Sequence, residues 1–272
     1  MLGFDGEKVN DMAISVAPVA GALGAVVEGI DLAKADAGAL DELKFVLDRH
    51  LVLYVPGQDL DRHRLSALGR HFGPPFFHPI VDNGFDDCPE VLELLREEAE
   101  TPLFGGACWH ADVTWVRPAG YVSILHGIEI PPVGGDTAFI STQAAFDALS
   151  DGLKDLLRGL EAVHCYHWYE RREDPAYAIE HPVVRRHPVT GREGLYVNRM
   201  FTNRLKDMTS AESRPLLDYL FDHLERPEFG CRFRWQPGAV LLWDNRFTLH
   251  YPIDDFGGQR RRMIRTTSLE AA

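Results

Sequence analysis

The sequence is poor in cysteine. Its 272 residues include four, and no two of them form a CxxC pair or a spacing typical of a disulfide: Cys88, Cys108, Cys165 and Cys231. This scarcity argues against a zinc or iron–sulfur site held by thiolates. It is also typical of proteins that fold in a reducing compartment, so we expect a cytoplasmic location.

Basic charge and long apolar runs are also scarce. Lysine and arginine together number 28 against 41 acidic residues, which gives a formal net charge of −13 at pH 7. A nucleic-acid partner is therefore not expected, because phosphate binding needs a basic face. No apolar run approaches the roughly 20 residues that span a bilayer, and the first residues lack the layout of a signal peptide, so we expect no membrane partner.

Apolar residues are plentiful, at 45% of the chain, which is enough for one large core. We therefore predict a single domain over residues 13–272, with a flexible N-terminal segment over residues 1–12. Apolar residues at helical spacing predict helices over residues 37–50, 61–72 and 142–160 and from Thr209 onward. At the last of these, Thr209 and Glu212 have the spacing of a capping box.

Short strands separated by turn residues account for most of the remaining chain. We predict a strand pair within residues 14–32 and single strands over residues 51–55, 113–115, 121–130, 137–140, 162–167, 183–186, 195–198, 231–235, 239–243 and 262–269. This pattern predicts a mainly β protein with flanking helices, built as a double-sheet jelly roll. Residues 169–194 are rich in Arg, Glu and Pro, and they are either a mobile excursion over one mouth of the barrel or an ordinary surface loop.

Among twelve histidines, His110 stands out because Asp112 follows it at a spacing of two. On a strand-like segment two such side chains lie on the same face, since side chains alternate with period two. His223 and Glu225 have the same spacing, but they fall in a predicted helix, where positions i and i+2 diverge. We therefore predict that His223 and Glu225 are solvated helix residues.

An iron(II) oxygenase binds its metal through two imidazoles and one carboxylate, and the other three coordination positions of the iron stay open. His110 and Asp112 provide one imidazole and the carboxylate, so a second imidazole is needed. The best candidate is His250, and the strand after it carries Arg261 and Arg265. These two arginines are four residues apart and share a face, which is costly in an interior unless anions neutralise them. The distal carboxylate of 2-oxoglutarate would be one such anion. A surface strand with a basic edge is the alternative, and it would explain the other two arginines of this run, Arg260 and Arg262.

Taken in order, these motifs resemble the taurine dioxygenase family, which includes alkylsulfatases and phenoxyalkanoate-herbicide dioxygenases. The matching stretches are WHADVT (109–114), GGDT (134–137), RWQP (234–237), WDNR (243–246) and HY (250–251), followed by Arg261 and Arg265. Weaker similarity runs from residue 21 to the C-terminus, so the resemblance covers almost the whole chain.

The resemblance implies a double-stranded β-helix fold and an enzyme that uses Fe(II), 2-oxoglutarate and O₂ and releases succinate and CO₂. It implies three iron ligands that are also the catalytic centre, namely His110, Asp112 and His250. It assigns Thr137 and Arg261 to the distal carboxylate of 2-oxoglutarate and Arg265 to a negatively charged substrate group. The subunit arrangement common in the family is a homodimer or homotetramer.

The substrate pocket departs from the taurine-specific members of the family. The resemblance places His78 in this pocket and Phe201 near its wall. Where taurine-specific members have a Tyr and an Asn, this chain has Val81 and Gly106. Both changes remove hydrogen-bonding partners for a small zwitterion and enlarge an apolar space. We therefore expect a small organic acid other than taurine, namely a sulfonate, an alkyl sulfate or an aryloxyalkanoate.

Two other functions remain open at this stage. One is an amino-acid or natural-product hydroxylase on the same scaffold, in which Arg265 pairs with a substrate carboxylate. The other is a catalytically silent jelly-roll sensor that binds 2-oxoglutarate or metal. The complete set of candidate iron ligands beside Arg261 argues against the sensor.

Overall fold

The computed structural model describes residues 14–79, 83–98, 108–166 and 178–271. Strands outnumber helices in these residues, so the prediction of a mainly β protein with helices is confirmed. The helices are α1 (Ala37–His50), α2 (Arg62–Phe72), α3 (Thr142–Asp147), α4 (Asp151–Arg158), α5 (Ser210–Leu224) and a short 3₁₀ helix (Pro227–Phe229). The strands are β1 (Ser15–Pro18), β2 (Ala25–Glu28), β3 (Val52–Val55), β4 (Gly84–Phe85), β5 (Cys88–Arg96), β6 (Gly120–Glu129), β7 (Thr137–Ser141), β8 (Glu161–Cys165), β9 (Ala178–Pro182), β10 (Val184–Arg186), β11 (Glu193–Leu195), β12 (Thr202–Leu205), β13 (Gly230–Phe233), β14 (Val240–Asp244), β15 (Thr248–Pro252) and β16 (Arg261–Leu269).

The largest sheet combines strands from both ends of the described chain. Its order is β1-β2-β3-β14-β6-β16-β5-β4, and all neighbours are antiparallel except β2 and β3. On one face of β14, Val240 and Leu242 pack in a core with α1 and α2. On the other face, Leu241 and Trp243 belong to a second core. Because side chains alternate along a strand, β14 is buried on both faces.

A smaller sheet, with the order β13-β7-β15, lies against this second core. The ring of Phe139 on β7 lies 5.6 Å from that of Trp243 on β14 and 6.0 Å from that of Phe233 on β13. Two further small sheets have the orders β12-β8-β9 and β10-β11, and their apolar side chains form a third core with α3, α4 and α5. His250 lies on β15, and Arg261 and Arg265 lie on β16. These two strands therefore belong to different sheets.

Four of the described helices begin at side-chain caps that the sequence provides, including α3, where Ser141 accepts from the N–H of Ala144. Asp36 and Asp61 each accept a hydrogen bond from the backbone N–H three residues on, at the start of α1 and α2. Before α5, Thr209 and Glu212 form the predicted capping box. In the described part of the chain, no helix has both the length and the apolar character needed to cross a membrane.

Several local predictions are wrong. Residues 113–115, predicted as a strand, form a turn in which Val113 has a φ of 59°. The helix predicted over residues 142–160 is divided into α3 and α4, and strands β5, β12 and β15 were not predicted. Residues 178–194 lie in the stretch predicted as an excursion or surface loop. Besides the predicted strand over residues 183–186, which is β10, they contain β9 and the start of β11, because β9 pairs with β8 and β11 pairs with β10. Residues 1–12 and 169–177 lie outside the described residues.

Candidate active site

The two candidate ligand histidines are brought together by backbone pairing. His110 forms an isolated antiparallel bridge with His250 of β15. The N–H of His110 donates to the carbonyl of His250 at 3.1 Å, and the N–H of His250 donates back at 2.7 Å. As a result, the two imidazole rings lie 4.1 Å apart, centroid to centroid.

Asp112 completes a group of three whose possible ligand atoms all lie within 4.8 Å of one another. Its Oδ1 lies 3.9 Å from Nε2 of His110, and its Oδ2 lies 4.0 Å from Nε2 of His250. The strand alternation from which we predicted this proximity is absent, because Asp112 begins the turn that contains Val113. The turn packs closely on β6, where a Cβ at Gly120 would lie 2.6 Å from the carbonyl oxygen of Asp112.

The donor set suits a divalent metal ion. Nδ1 of His110 lies 2.9 Å from the carbonyl oxygen of Cys108, which can only accept, so Nδ1 carries the ring proton and Nε2 keeps its lone pair. Burial lowers the pKa of His110, and burial together with His110 lowers the pKa of His250 to about 3. Burial alone would raise the pKa of the Asp112 carboxyl, but the Arg265 guanidinium and the two imidazoles hold it well below its usual range. Two neutral nitrogens and one carboxylate can therefore bind such an ion at neutral pH.

The four arginines at the start of β16 and just before it differ in their surroundings, two by two. Arg260 forms ion pairs with Glu97 and Glu129, and Arg262 forms one with Glu93. On the opposite face, Nη1 of Arg265 donates to Oδ1 of Asp112 at 3.0 Å. Nη2 of Arg261 donates to the carbonyl of Gly135 at 3.3 Å, and no carboxylate among the described residues forms an ion pair with it. Burial and the nearby Arg96 lower the pKa of Arg261 to about 10, so it stays charged at neutral pH.

The GGDT motif lies beside Arg261. Gly134 and Gly135 both have positive φ, 82° and 73°, and a Cβ at Gly135 would lie 3.5 Å from Nε of Arg261. A Cβ at Gly134 would lie 2.7 Å from Oδ1 of Asp255, so glycine there allows the motif to pack closely on that residue. Two residues after Gly135, Thr137 is buried, and its Oγ1 accepts a hydrogen bond from Nε1 of Trp235 at 3.0 Å.

A group of aromatic rings also lies near the candidate metal ligands. The Phe201 ring is 6.1 Å from the His110 ring, and the Tyr166 ring stacks on Phe201 at 6.2 Å. Trp115 lies 4.6 Å from Tyr166, and His78 lies 5.7 Å from Trp115. Burial, followed by Arg265, lowers the pKa of His78 to about 4, so its ring is neutral. Val81 and Gly106, the other two predicted pocket residues, lie outside the described residues.

Sequence reasoning missed Trp115 and Tyr166. Trp115 directly follows the WHADVT motif, three residues after Asp112, so its position was an available signal. Tyr166 follows β8, and no local pattern marks it. The prediction that His223 is solvated is wrong, because it is buried and its Nε2 lies 2.8 Å from the carbonyl oxygen of Ala145.

A second buried group, formed by Asp48, His187 and Asp244, also has ligand atoms within 4.8 Å of one another. Nδ1 of His187 accepts hydrogen bonds from two backbone N–H groups, at 3.1 and 3.2 Å, so the ring proton is on Nε2. That nitrogen lies 3.5 Å from Asp48 and 3.6 Å from Asp244 and has no lone pair for a metal. Arg246 pairs with Asp244 at 2.6 Å and Lys44 with Asp48 at 3.4 Å, so the two carboxylates already have cations. This group is a buried charge network.

Removing the cation of this network should destabilise the fold strongly. Arg246→Met leaves the buried Asp244 without its pair, so we expect the free energy of unfolding to fall by about 3–5 kcal/mol. The measurement is chemical denaturation. Arg214→Met is the control, because it breaks an exposed ion pair with Asp218 on α5 and should cost about 0.3–0.5 kcal/mol. Equal losses in the two variants would contradict this description.

Two imidazoles and one carboxylate on a β scaffold are typical of the mononuclear non-heme metal oxygenases. Residues 15–267 match the model of the family described as "Taurine catabolism dioxygenase TauD, TfdA family". The chain therefore belongs to this family.

Individual relatives agree with this membership. The chain is 35% identical to an α-ketoglutarate-dependent sulfate ester dioxygenase of Pseudomonas putida, with 93% of this chain and 89% of the relative covered. It is 33% identical to an alkylsulfatase of Acinetobacter baylyi, over 91% of this chain and 82% of the relative. Its structure is similar to that of a taurine dioxygenase from Burkholderia xenovorans, with a TM-score of 0.83, 34% identity and coverage of 96% and 90%. The predicted class, a 2-oxoglutarate-dependent dioxygenase, is confirmed.

Proposed function

We propose that this enzyme binds Fe(II) through His110, Asp112 and His250 and oxidises a small organic anion. The observation that carries this proposal is the group of three ligand atoms within 4.8 Å, with the guanidinium of Arg265 3.0 Å from its carboxylate. Activation of O₂, with 2-oxoglutarate converted to succinate and CO₂, is the chemistry that bound iron supplies. The residues around the site bind the two anions, orient the substrate and exclude water. Their scaffold, in which β13-β7-β15 faces β14 of the large sheet, is consistent with a double-stranded β-helix.

Arg261 and Thr137 are proposed to bind the distal carboxylate of 2-oxoglutarate. Arg261 has no ion-pair partner among the described carboxylates, and its planar guanidinium can bind a carboxylate through two parallel hydrogen bonds. The hydroxyl oxygen of Thr137 accepts from the Trp235 ring, which leaves the hydroxyl proton to donate to an anion. Thr137 is the last residue of the GGDT motif, and Arg261 contacts the same motif through the carbonyl of Gly135.

The substrate is proposed to be an anion with an apolar body. Arg265 supplies the positive charge, and its contact with Asp112 places any anion that it binds close to the metal ligands. The rings of Phe201, Tyr166 and Trp115 supply an apolar wall. The neutral His78 adds no charge to this wall. Sulfonates, alkyl sulfates and aryloxyalkanoates have this combination of groups, and the relatives named for sulfate esters and alkyl sulfates support the choice.

A matched pair of substrates tests this proposal. Taurine and 1-propanesulfonate have similar size and the same sulfonate, but taurine carries an ammonium where propanesulfonate has a methyl group. An ammonium buried against aromatic rings without a carboxylate is costly, so we expect the higher kcat/KM for propanesulfonate. Lengthening the alkyl chain should then raise kcat/KM by about fourfold per CH₂, since each buried CH₂ contributes about 0.8 kcal/mol.

The assay measures succinate formation and loss of each sulfonate, with alkyl sulfates, aryloxyalkanoates and amino acids run alongside. If taurine is the best substrate, the pocket assignment is wrong. If an amino acid is preferred, the hydroxylase alternative replaces the present proposal. If no compound stimulates succinate formation, the catalytically silent sensor that binds 2-oxoglutarate or metal becomes the better explanation.

A further inference from the structure

Asp112 does not lie on a strand, so no ladder of backbone hydrogen bonds holds its carboxylate in position. Asp112 begins a turn, and the next residue, Val113, is β-branched with a φ of 59°. Such a residue rarely adopts this left-handed conformation, so the turn is strained and tends to relax unless its surroundings hold it. The contacts that hold Asp112 come from β6, β16 and the segment just after β14.

Asn245 is the first of these contacts, and its amide has one possible orientation. Its Oδ1 accepts from the backbone N–H of Asp112 at 2.9 Å and from Nε1 of Trp243 at 3.0 Å. Both partners can only donate, so the atom between them must be the oxygen. The amide nitrogen of Asn245 therefore points the other way, and it donates to Oγ of Ser123 at 2.9 Å.

The direction of the remaining hydrogen bonds follows from this orientation. Oγ of Ser123 lies 2.7 Å from Oδ2 of Asp112, and an ionised carboxylate can only accept, so the single proton of Ser123 goes to Asp112. Oγ1 of Thr267 lies 3.0 Å from Oγ of Ser123 and must then donate to it. Ser123 thus uses its one proton and both lone pairs, and Ser123, Asn245 and Thr267 are all buried.

We propose that Asn245 and Ser123 are positioning residues for the metal site: Asn245 fixes the backbone of Asp112, and Ser123 fixes its carboxylate. This inference rests on the proposed function, because it takes Asp112 to be a metal ligand. Ser123 donates to Oδ2 while Arg265 donates to Oδ1, so the plane of the carboxylate is set from both sides. Removing a group that orients a ligand in this way typically weakens metal affinity by about 10–100-fold.

The test is Mn(II) binding to the full chain, measured by the EPR signal of free Mn(II) and by calorimetry. Ser123→Ala should raise the Kd for Mn(II) by about 10–100-fold. Ser268→Ala is the matched control, because Ser268 is equally buried on the adjacent strand β16 but donates to the carbonyl of Val122. Both variants lose one buried hydroxyl and should lose similar stability in chemical denaturation, but Ser268→Ala should bind Mn(II) like the wild type. Ser123→Thr keeps the hydroxyl and should bind more tightly than Ser123→Ala.

Two results would overturn the positioning role: wild-type affinity in Ser123→Ala, or equal weakening in Ser123→Ala and Ser268→Ala. If Ser123→Ala does not fold, Thr267→Val tests the positioning role instead. This variant removes the hydroxyl that donates to Ser123 and leaves Asp112 unchanged. We expect weakening by up to about tenfold in Thr267→Val, the lower end of the same range, and unchanged affinity would reject the inference. Failure of the wild-type protein to bind Mn(II) would instead reject the metal site itself.

Discussion

Replacing any one of His110, Asp112 or His250 with alanine should abolish turnover and leave the fold intact. A metal ion held by three side chains loses both affinity and geometry when one of them is removed. The three possible ligand atoms lie within 4.8 Å of one another, so all three can contribute to the same metal position. Succinate formation with 2-oxoglutarate and the best substrate measures turnover, and Mn(II) titration measures binding. Circular dichroism and chemical denaturation report whether each variant is folded.

The control for this result is another buried histidine. His223 and His250 are both buried, but Nε2 of His223 lies beside a backbone carbonyl oxygen between α5 and α3. We expect His223→Ala to lower stability and to keep both Mn(II) binding and turnover. Full activity together with normal metal binding in Asp112→Ala would remove Asp112 from the site, and the assignment of the other two ligands would then need another carboxylate.

Helices and central strands could be predicted because their signals are local. The bounds of α1 match the prediction, since its apolar stripe and its cap, Asp36, both lie within a short window. Strand β14 could be predicted for the same reason, as a run of apolar residues buried on both faces. Strand β5 was missed because its sequence, CPEVLELLR, has Pro89 and Glu90 near its start and lacks clear alternation. Its formation depends on pairing with β16, far along the chain.

The structure brings the three candidate ligands together, but through a geometry that differs from the one assumed in predicting them. His110 and Asp112 were selected from a spacing that assumed a strand, whereas the pairing of His110 with His250 and the turn at Val113 bring the groups together. The aromatic wall formed by Tyr166 and Trp115 depends on contacts between distant segments. The burial of His223 also depends on such a contact, with α3. The single domain, the dimer or tetramer and the cytoplasmic location stay predictions.

Replacing Arg261 with methionine should raise the KM for 2-oxoglutarate strongly and change kcat little at saturating cosubstrate. Removing one partner of a buried, hydrogen-bonded charge pair costs about 2–5 kcal/mol, which corresponds to an increase in KM of about thirtyfold or more. Arg261 is suited to this role because no described carboxylate pairs with it, so its charge is available for an anion. Its pKa of about 10 keeps it protonated at neutral pH, and the increase in KM should therefore be seen across the neutral range.

Arg260→Met and Arg262→Met are the matched controls, because both arginines adjoin Arg261 and both form surface ion pairs with glutamates. The Arg260 pair is exposed and the Arg262 pair is half-buried, and both arginines are already paired with a glutamate. The KM for 2-oxoglutarate should therefore stay near the wild-type value in both variants. The comparison separates a specific carboxylate contact from a general loss of positive charge, because all three variants change the net charge equally. An unchanged KM in Arg261→Met with a raised KM in either neighbour would transfer the cosubstrate role to that neighbour. A uniform rise in all three would point to long-range electrostatic attraction, which salt screens, and repeating the assay at high ionic strength would then remove the difference.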